Sequence, residues 1–254
     1  MHQTRALLQR SAYFFSEQQP SHLKIVALNI RHGGGRRMSA IASYLANSGA
    51  DVAVISEFQE NANAEALRKV MHACGLEFFA PATQLARENS VCVFSKAPFV
   101  VGTYPELGAH MHRVISAKFS DLTIYGVYFP QQKAKAGVFD FFLNGVPSVH
   151  AVPQLVVGDF NTGLHRVDEM GATFHCADKM QAMTSGGYID CWRSRNPDAR
   201  AFTWYSSARN GFRIDHAFAN AAVDSRIRKI AYDHTPREAA CTDHSALVVE
   251  VGSA

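Results

Sequence analysis

The sequence predicts an α/β fold in which two packed, mostly antiparallel β-sheets are flanked by helices. Two observations lead to this prediction: the chain opens with a strand, a helix and a second strand, and many short strand-like runs with few helices follow. The 254 residues, 47% of them hydrophobic and 19% charged, are enough to form one large domain. No repeat or linker interrupts the later sequence, so we expect an N-terminal extension over 1–20 and a single domain over 21–254.

The opening elements follow from apolar runs and the residues that stop them. Residues 24–30 form a short apolar run that ends before the consecutive glycines 33–35, which is typical of a buried strand and a turn. An apolar face predicts a helix from Met38 to about Ser48, and the apolar run 52–55 predicts a second buried strand. A further helix is expected near Glu65 to His72.

Strand-like runs then crowd together, with fewer helices between them. They lie at 91–94, 114–119, 122–128, 155–157, 202–205, 213–218, 227–232 and 247–251. The segment Phe119-Ser120-Asp121-Leu122 is typical of a tight hairpin turn between two of them. This density of short strands favours two packed sheets.

Cysteine usage and charge exclude several classes of protein. The five cysteines include no Cys-x-x-Cys pair, which argues against a disulfide framework and a zinc ribbon and favours a reducing, cytoplasmic location. There is neither a signal-peptide core nor an apolar run of about 18 residues, so we expect no membrane span. The net charge of +3 is too small to indicate a binding partner. The basic segments 1–37 and 185–230 could attract a polyanion or form ordinary solvated surface.

Polar side chains lie at or just after the ends of several predicted strands. They are Asn29, Glu57, Tyr128, Asp159, Asn161, Asp215, Asp243 and His244. Strand ends on one rim of a sheet can meet in space although they are distant in sequence. Carboxylate and amide oxygens suit Mg²⁺ or Mn²⁺, and the sequence offers no thiolate set. Each signal is weak alone, since an Asp-His pair can be a surface feature and Gly-Asp can simply end a strand.

Taken in order, these motifs resemble those of the endonuclease/exonuclease/phosphatase superfamily. The matching segments are Asn29, Glu57, Tyr-Phe-Pro-Gln at 128–131, Gly-Asp-Phe-Asn at 158–161, Arg-Ile-Asp at 213–215 and Thr-Asp-His at 242–244. Together with the block around Trp204, they are most similar to exonuclease III and the apurinic/apyrimidinic endonucleases. The resemblance covers about residues 24–251. It implies a four-layer α/β sandwich and divalent-metal hydrolysis of phosphate esters.

The resemblance also implies how metal and water would be handled. Glu57 is expected to bind Mg²⁺ or Mn²⁺, with Asn29 and Asp243 in or next to its coordination shell. Asp159 would orient or deprotonate the attacking water. Asn161 would hold a non-bridging phosphate oxygen or Asp159 itself.

A histidine and a tyrosine are expected to act on the phosphate. His244 would donate to it while Asp215 accepts the other ring N–H, which raises the histidine pKa and fixes its tautomer. Tyr128 would help stabilise the developing charge. Structural alternatives stay open: Tyr128 could be a packing aromatic, Asp215 could pair with Arg213, and Glu57 could begin a helix.

Substrate contacts are expected from an aromatic residue and several cations. Trp204 could stack on the sugar of a damaged or terminal nucleotide, or it could fill the core. Arg209 and Arg213 could neutralise phosphates, as could Lys133 and Lys135. The loop over residues 33–37 lacks the Gly-Lys-Ser/Thr ending of a P-loop, which disfavours nucleotide binding of that kind. Arg36 or Arg37 could touch a backbone phosphate or could be plain solvated charge.

Two departures from the family pattern affect these expectations. Arg31 stands two residues after Asn29, where relatives often carry an acid or amide, so it could weaken a second metal position or bind the substrate phosphate. We therefore expect one-metal chemistry. The segment between Tyr128 and Asp159 is shorter than in exonuclease III, which leaves selectivity for abasic sites in doubt.

Three functional hypotheses remain. The first is a monomeric, Mg²⁺-dependent DNA nuclease with abasic-site endonuclease, 3′-to-5′ exonuclease or 3′-end-processing activity. The second is a phosphoesterase of the same superfamily that acts on a lipid headgroup or small phosphate ester. The third is a catalytically inactive nucleic-acid-binding module, which is disfavoured because none of the principal catalytic positions is lost.

Overall fold

The computed structural model describes residues 22–83, 85, 88–145 and 149–254, so the expected extension over 1–20 lies outside the described residues. The strands within these ranges are β1 (His22–Asn29), β2 (Val52–Phe58), β3 (Phe78–Pro81), β4 (Ser90–Ser95), β5 (Val100–Gly102), β6 (Val114–Lys118), β7 (Thr123–Tyr128), β8 (Gln154–Asp159), β9 (Ile189–Asp190), β10 (Trp204–Tyr205), β11 (Gly211–Phe212), β12 (Asp215–Ala219), β13 (Ile227–Asp233) and β14 (Ala246–Gly252). The α-helices are α1 (Met38–Asn47), α2 (Ala62–Ala73), α3 (Ala136–Asn144), α4 (Ala177–Ser185), α5 (Cys191–Arg195), α6 (Ala221–Asp224) and α7 (Thr235–Glu238), and 3₁₀ turns cover Gly35–Arg37, Pro105–Arg113 and Gln132–Lys135.

Two six-stranded sheets form the centre of the fold. The first has the order β13-β14-β1-β2-β4-β3, the second has the order β5-β6-β7-β8-β12-β9, and β10 and β11 form a separate ribbon. The pairs β1–β2 and β7–β8 are parallel, and the other paired strands of the two sheets are antiparallel. This arrangement confirms the predicted fold class.

Alternating side chains divide the apolar core into layers. Val52 and Val54 of β2 point into the cluster between the two sheets, whereas Ala53 and Ile55 pack against α1 and α2. A third cluster joins the outer face of the second sheet to α3 and α4. Full burial of a Val or Ile side chain is worth about 1.5–3 kcal/mol, so the three clusters hold helix, sheet, sheet and helix together as four layers.

The predicted elements agree with the structure, with several omissions. Phe119 N–H donates to the Leu122 carbonyl oxygen at 2.9 Å, which confirms the predicted hairpin turn between β6 and β7. No sequence pattern predicted β3, β5, β9, β11 or the helices from α3 to α7. The run predicted at 213–218 becomes a strand only at Asp215.

Two further features concern the cysteines and the length of the helices. All five cysteines are free. Among the helices that the structure describes, none is both long and apolar enough to span a lipid bilayer.

Candidate active site

The ends of strands from both sheets converge on one rim of the molecule. In the second sheet, Asp159 is the register partner of Tyr128 on one side and of Asp215 on the other. From the first sheet, the Asn29 amide nitrogen donates to Asp159 Oδ2 at 2.8 Å and to Glu57 Oε1 at 3.0 Å. Asn29 therefore links the two sheets at the site.

Unusual backbone conformations place these side chains. Glu57 has a φ of 56°, and the pairing between β2 and β4 shifts register across it. A bulge of this kind redirects a side chain, and left-handed backbone at a non-glycine residue is stored strain that clusters at functional sites. Just before Asp159, Gly158 has a φ of 143°, and any Cβ there would lie 2.2 Å from the Val127 carbonyl oxygen.

Glu57 is surrounded by hydrogen-bond donors, and the His32 imidazole Nδ1 lies 3.2 Å from its Oε2. Its Oε2 accepts from the His32 N–H at 2.8 Å and from the Asn89 amide nitrogen at 3.2 Å. In the described part of the chain, neither Glu57 nor Asp159 forms an ion pair with a lysine or arginine. Two carboxylates joined through Asn29 offer oxygen ligands that suit a hard divalent cation.

Asn29 faces these carboxylates with its amide nitrogen, while its oxygen accepts from the Arg31 N–H at 2.8 Å. In this arrangement Asn29 holds the Glu57 carboxylate from the side and turns its own oxygen away from it. His32 and Asn89 were missed by the sequence analysis, and no motif marks either of them. Their contacts with Glu57 are visible only in the folded chain.

Asp159 is almost completely buried, at 1% exposure. Burial raises the pKa of its carboxyl group, although the His244 charge and hydrogen bonds from the Asn161 backbone N–H and Asn29 lower it. The Asn161 contact measures 2.7 Å. A carboxylate with a raised pKa accepts a proton more readily near neutral pH, which is what a general base requires.

His244 and Asp215 form the pair that the sequence predicts. Nδ1 of the buried histidine lies 2.9 Å from Asp215 Oδ2. Burial alone would lower the pKa of His244, but the carboxylates of Asp215, Asp159 and Asp243 raise it well above its usual value. Because the imidazolium form is favoured, His244 can donate a hydrogen bond from its other nitrogen. Ligand atoms of Asp159, Asp215 and His244 lie within 4.8 Å of one another. The two carboxylates of this trio could ligate a cation, whereas an imidazolium could not.

Tyr128 is buried beside the carboxylates. The Arg113 guanidinium lies over its ring, 4.5 Å from the centroid. Burial, together with the charges of Glu57 and Asp159, raises the pKa of the phenol. The hydroxyl therefore stays protonated at physiological pH and can act as a donor.

Asn161 is fixed from several directions, with a φ of 52°. Its amide nitrogen donates to the Phe129 carbonyl oxygen at 2.8 Å, and its side-chain oxygen accepts from Gln131. The Lys135 ammonium donates to its backbone carbonyl. These contacts orient the backbone N–H that binds Asp159.

Lys135, which the sequence suggested as a possible phosphate contact, is buried next to Asn161 instead. It is only 2% exposed and is bonded to Asn161, so it cannot reach a phosphate in this arrangement. Burial lowers its pKa to about 8, although the Asp159 charge raises it. Lys133, in the same 3₁₀ turn, stays exposed.

Replacing Lys135 by methionine is expected to lower kcat about tenfold at pH 7, because the Asn161 carbonyl loses a charge-assisted donor. The wild-type lysine loses its proton as pH rises through about 8, so the difference between the two proteins should shrink above that pH. Steady-state kinetics from pH 6.5 to 9, with Lys133→Met as the control, measures both effects. Equal turnover of Lys135→Met and wild type at pH 7 would contradict this positioning role.

Asp243 is held at the edge of the site by its neighbours. Thr242 Oγ1 donates to the Asn29 carbonyl oxygen at 2.7 Å, which fastens this loop to β1. The Trp204 indole N–H donates to Asp243 Oδ2 at 3.3 Å, and Arg31 Nε lies 3.5 Å from the same oxygen. Trp204 therefore lies at the rim, half-buried, and its stacking on a substrate sugar stays a prediction.

Arg213 is a correction to the sequence analysis. Its guanidinium is completely buried, with Nε 2.7 Å from Asp168 Oδ1 and Nη2 2.6 Å from Asp190 Oδ2. The prediction that Arg213 binds substrate is therefore wrong, and so is the alternative in which Asp215 is its partner. By contrast, Arg31, Arg36 and Arg209 are exposed, as phosphate contacts must be.

Replacing Arg213 by methionine is expected to destabilise the protein by about 3–5 kcal/mol, because Asp168 and Asp190 lose the buried guanidinium that they share, although Asp168 keeps its ion pair with Arg193. Urea unfolding followed by circular dichroism measures this loss. The exposed Arg209→Met variant is the matched control and should change stability by about 0.5 kcal/mol or less. Similar unfolding midpoints for the two variants would argue against a structural ion pair.

Comparison with known proteins finds a matching family and several solved structures of similar fold. The sequence profile of the Endonuclease/Exonuclease/phosphatase family matches residues 26–244. No match is found among curated proteins. The fold is similar to a 3′ phosphatase, NExo, from Neisseria bound to product DNA hairpin, with a TM-score of 0.76, 19% identity and coverage of 91% of this chain and 100% of that one.

Two further solved structures have the same coverage of both chains, 91% and 100%. The 3′-5′ exonuclease NExo from Neisseria meningitidis gives a TM-score of 0.76 at 20% identity. An AP endonuclease from Archaeoglobus fulgidus gives a TM-score of 0.74, also at 20% identity. At these identities the likeness shows that the fold is shared.

Proposed function

The chain belongs to the endonuclease/exonuclease/phosphatase family, and on that premise we propose that it is a Mg²⁺- or Mn²⁺-dependent DNA phosphodiesterase of the exonuclease III type. One observation carries the proposal: Glu57, Asp159 and the His244–Asp215 pair, which come from distant parts of the sequence, meet on one rim. The solved structures similar in fold include a phosphatase bound to product DNA and an AP endonuclease, which supports DNA as the substrate.

Charge neutralisation is the first requirement, because a phosphodiester anion repels a nucleophile. Glu57 would hold the divalent ion, with Asn29 and Asp243 beside it. When bound, the ion would supply Lewis-acid polarisation of the phosphate. The hydrogen bonds from His32, Asn89 and Asn29 fix both carboxylate oxygens of Glu57 in place, so the ligand is oriented before the substrate arrives.

Asp159 would orient the attacking water and accept its proton. Its raised pKa favours this role, and its two oxygens are held by the Asn161 backbone N–H and the Asn29 amide. His244, cationic through its contact with Asp215, would donate to a phosphate oxygen. Tyr128 would donate to the same developing charge from its protonated hydroxyl.

A metal-dependence assay tests the proposal. The protein is offered duplex DNA with an abasic analogue, intact duplex, a duplex with a 3′-phosphate end, and phosphoinositide vesicles, each with Mg²⁺, Mn²⁺ or EDTA. We expect cleavage of DNA with either metal and none in EDTA. Hydrolysis of the vesicles without any DNA cleavage would favour the alternative function, a phosphoesterase for lipid headgroups or small esters.

The Glu57→Gln variant identifies the metal ligand in the same assay. We expect DNA cleavage to fall about 100-fold at limiting Mg²⁺ and to recover partly as the Mg²⁺ concentration is raised. The reason is that loss of a metal ligand, or of a residue that supports one, weakens metal affinity by about 10–100-fold or more. Glu60→Gln is the control, since Glu60 pairs with Arg68. An unchanged metal dependence in Glu57→Gln would contradict the assignment.

A further inference from the structure

Glu57 forms a compact cluster with the side chains of His32 and Asn89. His32 Nδ1 lies 3.2 Å from Glu57 Oε2. The Asn89 amide nitrogen lies 2.9 Å from that ring nitrogen and 3.2 Å from the same carboxylate oxygen. Three polar atoms from separate segments, the loop after β1, the end of β2 and the residue before β4, therefore form a nearly equilateral triangle.

The size of this triangle matches one face of an octahedral coordination shell. In an octahedron with metal–ligand bonds of about 2.1 Å, neighbouring ligand atoms lie about 3.0 Å apart. The three separations in the cluster are 2.9, 3.2 and 3.2 Å. A divalent ion could therefore contact all three positions at once without a rearrangement of the backbone.

Asn89 faces the other two side chains with its nitrogen, but a half-turn of its amide places the oxygen at the same position. The Gln59 amide nitrogen donates to Asn89 Oδ1 at 2.6 Å. A matching half-turn of Gln59 keeps this hydrogen bond with donor and acceptor exchanged. The turn also releases a lone pair on Glu57 Oε2 and the lone pair of a neutral His32 Nδ1, while the His32 backbone N–H still donates to Oε2 at 2.8 Å.

His32 is placed at the cluster by its backbone and not by packing in the core. Its side chain is 73% exposed, and its φ is 51°. Left-handed backbone at a non-glycine residue is strained, and such residues cluster at functional sites. Because the ring is open to solvent, an ion can reach Glu57 along it.

We propose that His32 and Asn89 join Glu57 as ligands of the divalent ion, and that the imidazole makes this site prefer Mn²⁺ to Mg²⁺. The presence of an ion at Glu57 rests on the proposed function. Neutral imidazole is a common ligand of first-row transition ions, whereas Mg²⁺ favours carboxylate, carbonyl and water oxygens. The nitrogen of His32 is therefore the atom that separates the two ions.

Metal binding without DNA tests the proposal. Mn²⁺ is titrated into the full chain, free Mn²⁺ is measured by electron paramagnetic resonance, and Mg²⁺ is then added as a competitor. We expect wild type to bind Mn²⁺ about tenfold tighter than Mg²⁺ or more. His32→Ala should lower the Mn²⁺ affinity about tenfold and the Mg²⁺ affinity less than about threefold. Equal losses for the two ions, or no loss, overturn the role of His32 as a ligand.

Electron spin-echo measurements identify the ligand atom, because an imidazole nitrogen bound to Mn²⁺ modulates the echo. We expect this modulation in wild type and its loss in His32→Ala. His72→Ala is the matched control, since His72 is exposed on α2, and it should keep the signal. Absence of the modulation from wild type, or its persistence in His32→Ala, overturns the proposal.

Two variants test the Asn89 ligand. Asn89→Asp keeps an oxygen at the same place and should bind Mn²⁺ at least as tightly as wild type, whereas Asn89→Leu removes the oxygen and should bind it about tenfold more weakly. If Asn89 serves only as a donor to Glu57, the new carboxylate repels Glu57, and binding to Asn89→Asp falls as far as in Asn89→Leu. That result overturns the assignment of Asn89.

The outcome for this site is separate from the outcome for the proposed function, since no DNA and no turnover are needed. Mn²⁺ binding through His32 in a protein that does not cleave DNA would refute the proposed function alone. Metal-dependent DNA cleavage together with unchanged Mn²⁺ binding in His32→Ala would refute this proposal alone.

Discussion

Replacing Asp159 by asparagine is expected to lower kcat for DNA cleavage about 10³-fold, within the range that loss of a positioned general base costs. The substitution keeps the size of the side chain and one oxygen for the Asn161 backbone N–H, so the protein should stay folded. The proton acceptor is lost, because an amide does not take up a proton near neutral pH. Single-turnover cleavage of an abasic duplex, with saturating protein, separates this loss from any change in binding.

The matched control is Asp140→Asn. Asp140 lies on α3 and pairs with Lys179, outside the catalytic rim. It should retain wild-type turnover, and Asp159→Asn should bind the same duplex with an affinity within about threefold of wild type. If Asp159→Asn keeps more than a tenth of the turnover, another group takes the proton and the role assigned to Asp159 is wrong.

The sequence predicts those parts of the fold in which local pattern and burial agree. β1, β2 and α1 have apolar runs or faces with clear stops, so they were predicted within a few residues. The helix α3 was missed because Val138, Phe139, Phe141 and Phe142 make its sequence nearly continuous in large apolar residues, which a buried strand also shows.

Residues that meet on the candidate rim were expected where a motif contains them and missed where only tertiary contacts bring them there. His244 and Asp215 belong to motifs, and the structure brings them together. Arg213 belongs to a motif as well, yet its environment is set by Asp168 and Asp190, which no local pattern connects to it. The left-handed backbone of Glu57 likewise has no signal in its sequence, because it arises from the register shift against β4.

The second large effect is expected at the His244–Asp215 pair. His244→Asn should lower kcat about 100–1,000-fold, since it removes the donor to the phosphate, and Asp215→Asn about 10–100-fold, since it removes the group that orients and charges the histidine. Both residues are nearly buried, so each variant is checked for folding by circular dichroism. The exposed His72→Asn on α2 is the control and should keep full activity.

The double variant, His244→Asn with Asp215→Asn, decides how the two residues are related. If Asp215 acts only through His244, removing it from a protein that already lacks the histidine costs nothing further, and the double variant should match His244→Asn within about threefold. If the two acted independently, their losses would multiply to about 10³–10⁵-fold. A multiplicative result would mean that Asp215 has its own contact with substrate or metal, which its closeness to Asp159 and His244 would then explain.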